Sequence, residues 1–159
     1  IRYQKYRIRS IIIVIMPKFF NIKRKLYYKF KGCSVFSLHS QYMYDYYTQT
    51  FRPYKKMPAN ILINKSIERW KREYPTTNIV IFDLNKAKDV SIIIDAYLSY
   101  LDHFAESIMI YKNINTSKKN SALWRKTIRP TSLGLSMECQ RFGVIFHIDG
   151  FAKQHYILK

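Results

Sequence analysis

The stretch that decides the fold is Asn78-Ile79-Val80-Ile81-Phe82-Asp83, a continuous apolar run of strand length that ends in an acid. Runs of this kind are typical of strands that are buried on both faces of a parallel sheet. Asp83 and Asn85 suit the turn into a helix. That helix is predicted from about Val90 to Phe104, where apolar residues recur at helical spacing.

A second apolar strand follows in Ser107-Ile108-Met109-Ile110-Tyr111. A strand, a helix and a strand of these lengths make a βαβ unit and hence a parallel sheet. Farther along, Phe142 to Asp149 is another strand of the buried type, and a helix is predicted to begin near Phe151. The predicted fold class is therefore α/β: a partial parallel sheet with flanking helices in a three-layer arrangement of the Rossmann or flavodoxin type.

The residues before this unit are predicted to be less regular. Residues 32–60 are aromatic-rich, contain two prolines and show no clear period, which predicts a loop along the surface. Ile61 to Tyr74 is predicted to be a short helix with an apolar face that includes Trp70, and Pro75 stops it. The predicted domains are a basic, aromatic-rich extension over residues 1–60 and an incomplete α/β domain over residues 61–159.

The charge of the chain is strongly positive and uneven. There are 28 Lys and Arg against 10 Asp and Glu, a net charge of +18. Residues 1–57 carry thirteen basic residues and one acid, residues 58–111 carry six and seven, and residues 112–159 carry nine and two. A near-neutral middle between basic ends predicts a folded layer with extensions that face a polyanion. Charge alone leaves RNA, DNA and an anionic membrane face open.

The basic ends supply the predicted nucleic-acid-binding residues. Cations contact phosphates, and the tyrosines interleaved with them can stack on unpaired bases or pack on a neighbouring protein. Residues 1–31 form the predicted long basic N-terminal arm, which is expected to become ordered only against RNA. The predicted contacts are Arg2, Lys5, Arg7, Arg9, Lys18, Lys23, Arg24, Lys25, Lys29, Lys31, Arg52, Lys55, Lys56, Lys118, Lys119, Arg125, Lys126 and Arg129.

Several classes of protein are disfavoured by the sequence. The longest apolar run, Ile11 to Met16, has six residues where about 20 are needed to span a membrane. Cys33 and Cys139 are isolated and lack metal-ligand spacing. None of the four histidines has the spacing to a Cys, Ser or carboxylate that suggests a triad or metal site. We therefore predict no catalytic residue, no metal and no cofactor.

Residue usage indicates the kind of genome that encodes the chain. There are 14 Tyr and 10 Phe but only 4 Gly and 5 Pro. Tyr and Phe have A/T-rich codons, whereas Gly and Pro have G/C-rich ones. The bias suggests an A/T-rich genome, as in many organelles.

Four segments occur in an order that resembles a known family. They are Ile79-Val80-Ile81-Phe82-Asp83-Leu84-Asn85-Lys86, then Ala96 to Leu101, then Leu123-Trp124-Arg125-Lys126-Thr127-Ile128-Arg129, and finally Ile145 to Asp149 with the segment to Lys159. Together they resemble the universal family of small-subunit ribosomal protein two in a divergent mitochondrial form. The resemblance covers roughly residues 76–159. The family's long helical hairpin and its closing strand have no counterpart, with only Ser132 to Arg141 in the hairpin's place.

The resemblance implies a non-enzymatic constituent of the mitochondrial small ribosomal subunit that binds rRNA and neighbouring ribosomal proteins. It also implies a sheet completed by a second chain, as from a split gene, although a neighbouring protein or RNA could cover the same edge. Three alternatives remain: small-subunit ribosomal protein family three, an accessory subunit of a respiratory complex, and an RNA-processing enzyme. The Trp124 segment disfavours the first, and the absence of an apolar span or a catalytic pattern in the sequence disfavours the other two.

Overall fold

The computed structural model describes residues 20, 22–32, 38, 40–86, 106–129 and 134–159. The predicted helix from Val90 to Phe104 and most of the predicted N-terminal arm lie outside the described residues. Four helices can be described. Residues 22–31 form α1, Gln41–Tyr46 form α2, Ala59–Glu73 form α3 and Lys118–Thr127 form α4. A π-helical turn, Tyr47–Phe51, and a short α-helical segment, Arg52–Tyr54, continue α2.

The prediction of a surface loop over residues 32–60 is wrong for residues 41–54, which are helical. Ser40 caps α2 by accepting a hydrogen bond from the Met43 amide at 3.4 Å, and the helix buries Met43 and Tyr46. Aromatic side chains obscured the helical period in the sequence because tyrosines occupy both the buried and the exposed faces. The prediction of a helix before Pro75 is confirmed by α3, which buries Ile63 and Trp70.

Five strands form one sheet in the order β1-β2-β4-β3-β5. The strands are β1, Asn78–Asp83; β2, Ser107–Lys112; β3, Leu135–Glu138; β4, Phe142–His147; and β5, Gln154–Ile157. The pairs β1–β2 and β3–β5 are parallel, whereas β2–β4 and β3–β4 are antiparallel. The α/β class with flanking helices is confirmed, and the sheet is mixed.

Three details differ from the sequence-based expectation. β4 runs antiparallel to both β2 and β3, and β3 and β4 form a hairpin. The helix predicted to begin near Phe151 is wrong: β5 lies there and pairs with β3. The second chain expected to complete the sheet stays a prediction, although β5 lies where the last helix was expected. β1 and β5 are the edge strands of the described sheet, and Ile81 of β1 is 48% exposed where burial on both faces was predicted.

The sheet has helices on both faces, so the fold has three layers. On the α3 face, Ile108, Ile110, Val144 and Phe146 join one core with α2 and α3. On the α4 face, the alternate residues Met109, Tyr111 and Ile145 join a second, smaller core with Leu123 and Trp124. This alternation is the ordinary consequence of strand geometry.

The larger core reaches back into residues that the sequence assigned to the extension. Tyr46, Tyr47 and Phe51 belong to it, and Arg69 Nη1 ties α3 to α2 by donating to the Asp45 carbonyl at 3.0 Å. In the described part of the chain, no helix has both the length and the apolar character to cross a membrane.

Candidate nucleic-acid interface

On the α4 face, the polar side chains of Glu138, Tyr28, Trp124 and Asn115 form a hydrogen-bonded group, the polar seam. Its centre is Glu138, which lies on β3 and is 4% exposed. Its carboxylate accepts hydrogen bonds from the Tyr28 hydroxyl at 3.0 Å and from Trp124 Nε1. Because Tyr28 belongs to α1 and Trp124 to α4, one buried carboxylate fixes both helices to the sheet. A buried charge is stable only with such partners.

Asn115 extends the seam beneath α1. Its Nδ2 donates to the Tyr28 hydroxyl at 2.7 Å and to the Gln140 carbonyl at 3.1 Å. Its Oδ1 accepts from Ser121 Oγ at 3.0 Å and from the guanidinium of Arg24. Arg24 also lies over the rings of Tyr27 and Tyr28, at 5.2 and 5.5 Å from their centroids. Arg24 is thus held in place by contacts on two sides.

A groove of about 610 Å³ runs between α1, α4 and β5 above this seam. Cationic side chains from α1 and α4, which are about a hundred residues apart in the sequence, line the groove. The rings of Phe20 and Tyr27 and the side chain of Ile128 line it as well. Among the described lining residues, Glu138 on its floor is the one acid. The cationic lining residues are Lys23, Arg24, Arg125 and Arg129, with His155 beside them.

The acid–base properties of the groove follow from burial. Burial lowers the pKa of His155, and the nearby Glu138 carboxylate opposes this shift. The ring is therefore neutral at physiological pH, and the positive charge of the groove comes from Lys and Arg. Burial and the Glu138 charge raise the pKa of Tyr27, so its ring stays uncharged and suited to stacking on a base.

The structure places the predicted site residues in several groups. Of the eighteen, Lys23, Arg24, Arg125 and Arg129 line the groove. Lys25, Lys29 and Lys31 are exposed elsewhere on α1, and Lys126 is exposed on α4. RNA contact by these residues stays a prediction. The predicted contacts outside the described residues are Arg2, Lys5, Arg7, Arg9 and Lys18.

Two further groups lie outside the lining of the groove. Arg52, Lys55 and Lys56 stand between α2 and α3, where Arg141 donates to the Lys55 and Met57 carbonyls. Lys118 and Lys119 form the first turn of α4, which contains no acid. Their charges add to the positive end of the helix dipole, which leaves positive potential for an anion to neutralise.

Sequence reasoning missed Glu138, Asn115 and His155. Glu138 lies in Ser132 to Arg141, the segment that stands in place of the helical hairpin of the family that the sequence resembles. Its signal was the short alternation Leu135-Ser136-Met137-Glu138, which has the period of a half-buried strand. Nothing in the sequence marked His155, because its partners come from β3.

His155 also lies between a serine and a carboxylate, with Nδ1 at 2.9 Å from Ser136 Oγ and Nε2 at 3.9 Å from Glu138 Oε2. Ser136 is 5% exposed in the sheet, and its hydroxyl also contacts the Gln154 carbonyl at 3.3 Å. A nucleophile must reach its substrate, and this serine faces the protein interior. The contacts therefore fasten β5 to β3.

Asp83, which was expected to suit a turn into a helix, accepts hydrogen bonds from Asn113 Nδ2 at 2.7 Å and from the Asn85 amide at 3.0 Å. The Asn113 hydrogen bond lowers the pKa of Asp83. Asp83 thus satisfies loop amides. Among the described residues, no group of three or more His, Cys, Asp or Glu could hold a metal ion.

Comparison with known protein families, curated proteins and solved structures finds no match to this chain.

Proposed function

We propose that this protein is an RNA-bound, non-enzymatic constituent of the mitochondrial small ribosomal subunit. The observation that carries the RNA-binding part is the groove, where Lys23 and Arg24 of α1 lie with Arg125 and Arg129 of α4 beside the ring of Tyr27. Cations spaced along a groove neutralise phosphates, and an uncharged tyrosine stacks on an unpaired base.

The ribosomal part of the proposal is supported by the resemblance of residues 76–159 to small-subunit ribosomal protein two, and by the charge of +18. A/T-biased residue usage supports a mitochondrial location. Folded rRNA would be recognised by its shape through phosphate and 2′-OH contacts, because the deep groove of an RNA helix exposes little sequence information.

The RNA-binding part is tested with a charge-neutralising pair of substitutions in the groove. Arg125→Gln with Arg129→Gln should weaken binding to small-subunit rRNA. Because each phosphate contact contributes roughly 0.7 to 0.9 to the slope of log affinity against log salt, the double variant should flatten that slope by between about 1.4 and 1.8. Filter binding at several salt concentrations measures both quantities.

The matched control removes two exposed cations from α3, on the opposite side of the sheet. Lys71→Gln with Arg72→Gln changes the net charge equally and should leave the slope nearly unchanged. Equal losses in the two double variants would mean that binding depends on total charge and that the groove is not the site.

The ribosomal part has its own test. After gentle lysis of mitochondria, the protein should sediment with the small ribosomal subunit and leave it when the particle is stripped with high salt. Sedimentation with a respiratory complex in detergent would overturn the proposal in favour of an accessory subunit.

A further inference from the structure

The outward side of α1 is apolar, which is the reverse of what a surface helix normally shows. Ile22, Leu26 and Phe30 follow one another at intervals of four residues and are 52%, 46% and 75% exposed. Residues four apart in a helix lie on the same face. The three side chains therefore form a stripe about 12 Å long, at a rise of about 1.5 Å per residue.

The stripe is distinct from the groove. Helical geometry places Lys23 and Tyr27, which line or border the groove, on one side of the stripe, and Lys25 and Lys29 on the other. Tyr28, 5% exposed, points the opposite way into the seam. α1 thus presents separate surfaces to the protein interior, to the groove and to the outside.

We propose that this stripe docks into an apolar groove of a partner protein whose rim carries Asp and Glu. Apolar anchors at helical spacing are the usual way in which a helix is held in a groove of another protein. The lysines on both sides of the stripe supply the charge complementarity that selects an acidic rim.

The alternatives fit the surface less well. Ile22 and Leu26 are aliphatic and lack the flat ring that stacks on a base, so RNA would leave them without a favourable partner. A second copy of this chain would place the same lysines opposite these lysines. Two chains that each carry a net charge of +18 would also repel each other. An acidic protein buries the apolar side chains and neutralises the lysines together.

Zero-length carbodiimide cross-linking of the native complex tests the proposal without any substitution. The reagent joins a lysine amine to a carboxylate only when the two are in contact. Lys25 and Lys29 should become joined to Asp or Glu of another protein, whereas Lys71, exposed on α3, should not be joined to that protein. Joining of Lys25 and Lys29 to acids of this chain or of a second copy, or their failure to react while other lysines do, would overturn the proposal.

A variant pair then tests the apolar anchors. Leu26→Ser with Phe30→Ser should reduce the Lys25 and Lys29 cross-links at least tenfold while leaving the salt slope of rRNA binding unchanged. Met57→Ser with Ile61→Ser is the matched control, because these side chains are also exposed, at 46% and 38%, and lie away from α1 in the sequence. If the Leu26 and Phe30 variant lost rRNA affinity while its cross-links were unchanged, the stripe would be an RNA-binding surface. The cross-linking result does not depend on whether the complex is a ribosomal subunit, so the two proposals can fail separately.

Discussion

On the α3 face of the sheet, Val144 and Phe146 meet Trp70 and Tyr46 in a core built from apolar and aromatic packing. On the α4 face of the same strands, Glu138 and Ser136 of β3 meet the hydroxyl, indole and imidazole groups of residues from α1, α4 and β5. The first face depends on close packing, which tolerates approximate shape, and the second depends on a set of specific hydrogen bonds.

The difference between the faces bears on function because the cations of the groove stand above the hydrogen-bonded face. Tyr28 and Trp124 anchor the two cation-bearing helices to one carboxylate, so the spacing of Arg24, Arg125 and Arg129 is set by the seam. An apolar core alone would let α1 and α4 slide relative to each other. We infer that the polar seam serves the geometry of the groove and the α3 face serves the stability of the domain.

The largest effect is expected on the α3 face. Phe146→Ala should lower the free energy of unfolding by about 3–5 kcal/mol, because it removes a fully buried ring that contacts Trp70 and Tyr42. Ile81→Ala, on the same face but 48% exposed, is the control and should cost less than about 1.5 kcal/mol. Urea unfolding measures both, and rRNA affinity per folded molecule should be unchanged in both. Equal losses in the two variants would contradict the assignment of the core.

On the α4 face, Glu138→Leu should cost about 3 kcal/mol, since it leaves the Tyr28 hydroxyl and Trp124 Nε1 buried without an acceptor. Unlike Phe146→Ala, it should also weaken rRNA binding, because α1 and α4 lose their common anchor. Glu138→Gln keeps one acceptor oxygen and should cost about 1 kcal/mol. If Glu138→Leu destabilised the protein without changing rRNA affinity, the seam would have no part in shaping the groove.

The two faces also differ in how much of them could be predicted from the sequence. Strands β1, β2 and β4 were recognisable because continuous apolar runs of strand length are a strong local signal. Helix α3 was recognisable from its apolar period and from Pro75. These elements supply most of the α3 face, whose formation requires only apolar side chains at the right intervals.

The α4 face was largely hidden in the sequence because its interactions join distant residues. Glu138 lies 110 residues from Tyr28 and Asn115 lies 87 residues from it, and no local pattern marks such pairs. β3 and β5 were missed because each has only four residues, too few for the period-two alternation to stand out. The cationic residues of the groove were predicted from the charge distribution, but the sequence did not indicate that α1 and α4 bring them together.

Gly143 offers a smaller test of packing on the α4 face. A Cβ at this position would clash with the Trp124 ring, which is fully buried. Gly143→Ala should therefore cost about 2 kcal/mol through overpacking. In a Trp124→Phe background the smaller ring leaves room, and the same substitution should cost less. Equal costs in the two backgrounds, by thermal or urea unfolding, would show that the backbone adjusts and that the contact is loose.

The smallest expected effect is a dependence of stability on pH that originates at His155. Burial lowers the pKa of this ring in the folded protein, although the charge of Glu138 acts in the other direction. The unfolded chain takes up the proton first as the pH falls below the ordinary histidine value of about 6.5, so the stability that the neutral ring contributes is present above that pH and is lost below it. Arg125, Arg129 and Lys23 line the same groove as His155.

His155→Gln keeps a polar side chain that does not titrate, so its urea midpoint should fall less than that of the natural protein between pH 7.5 and pH 5.5. The difference is small because the His155 side chain is 31% exposed, and water screens part of the interaction. All other titrating groups are common to the two proteins and cancel in the comparison. If the natural protein instead gained stability relative to the variant on acidification, the Glu138 charge would outweigh burial. The α4 face would then be held by an ion pair between His155 and Glu138 at low pH, and acidification would stabilise the polar seam instead of weakening it.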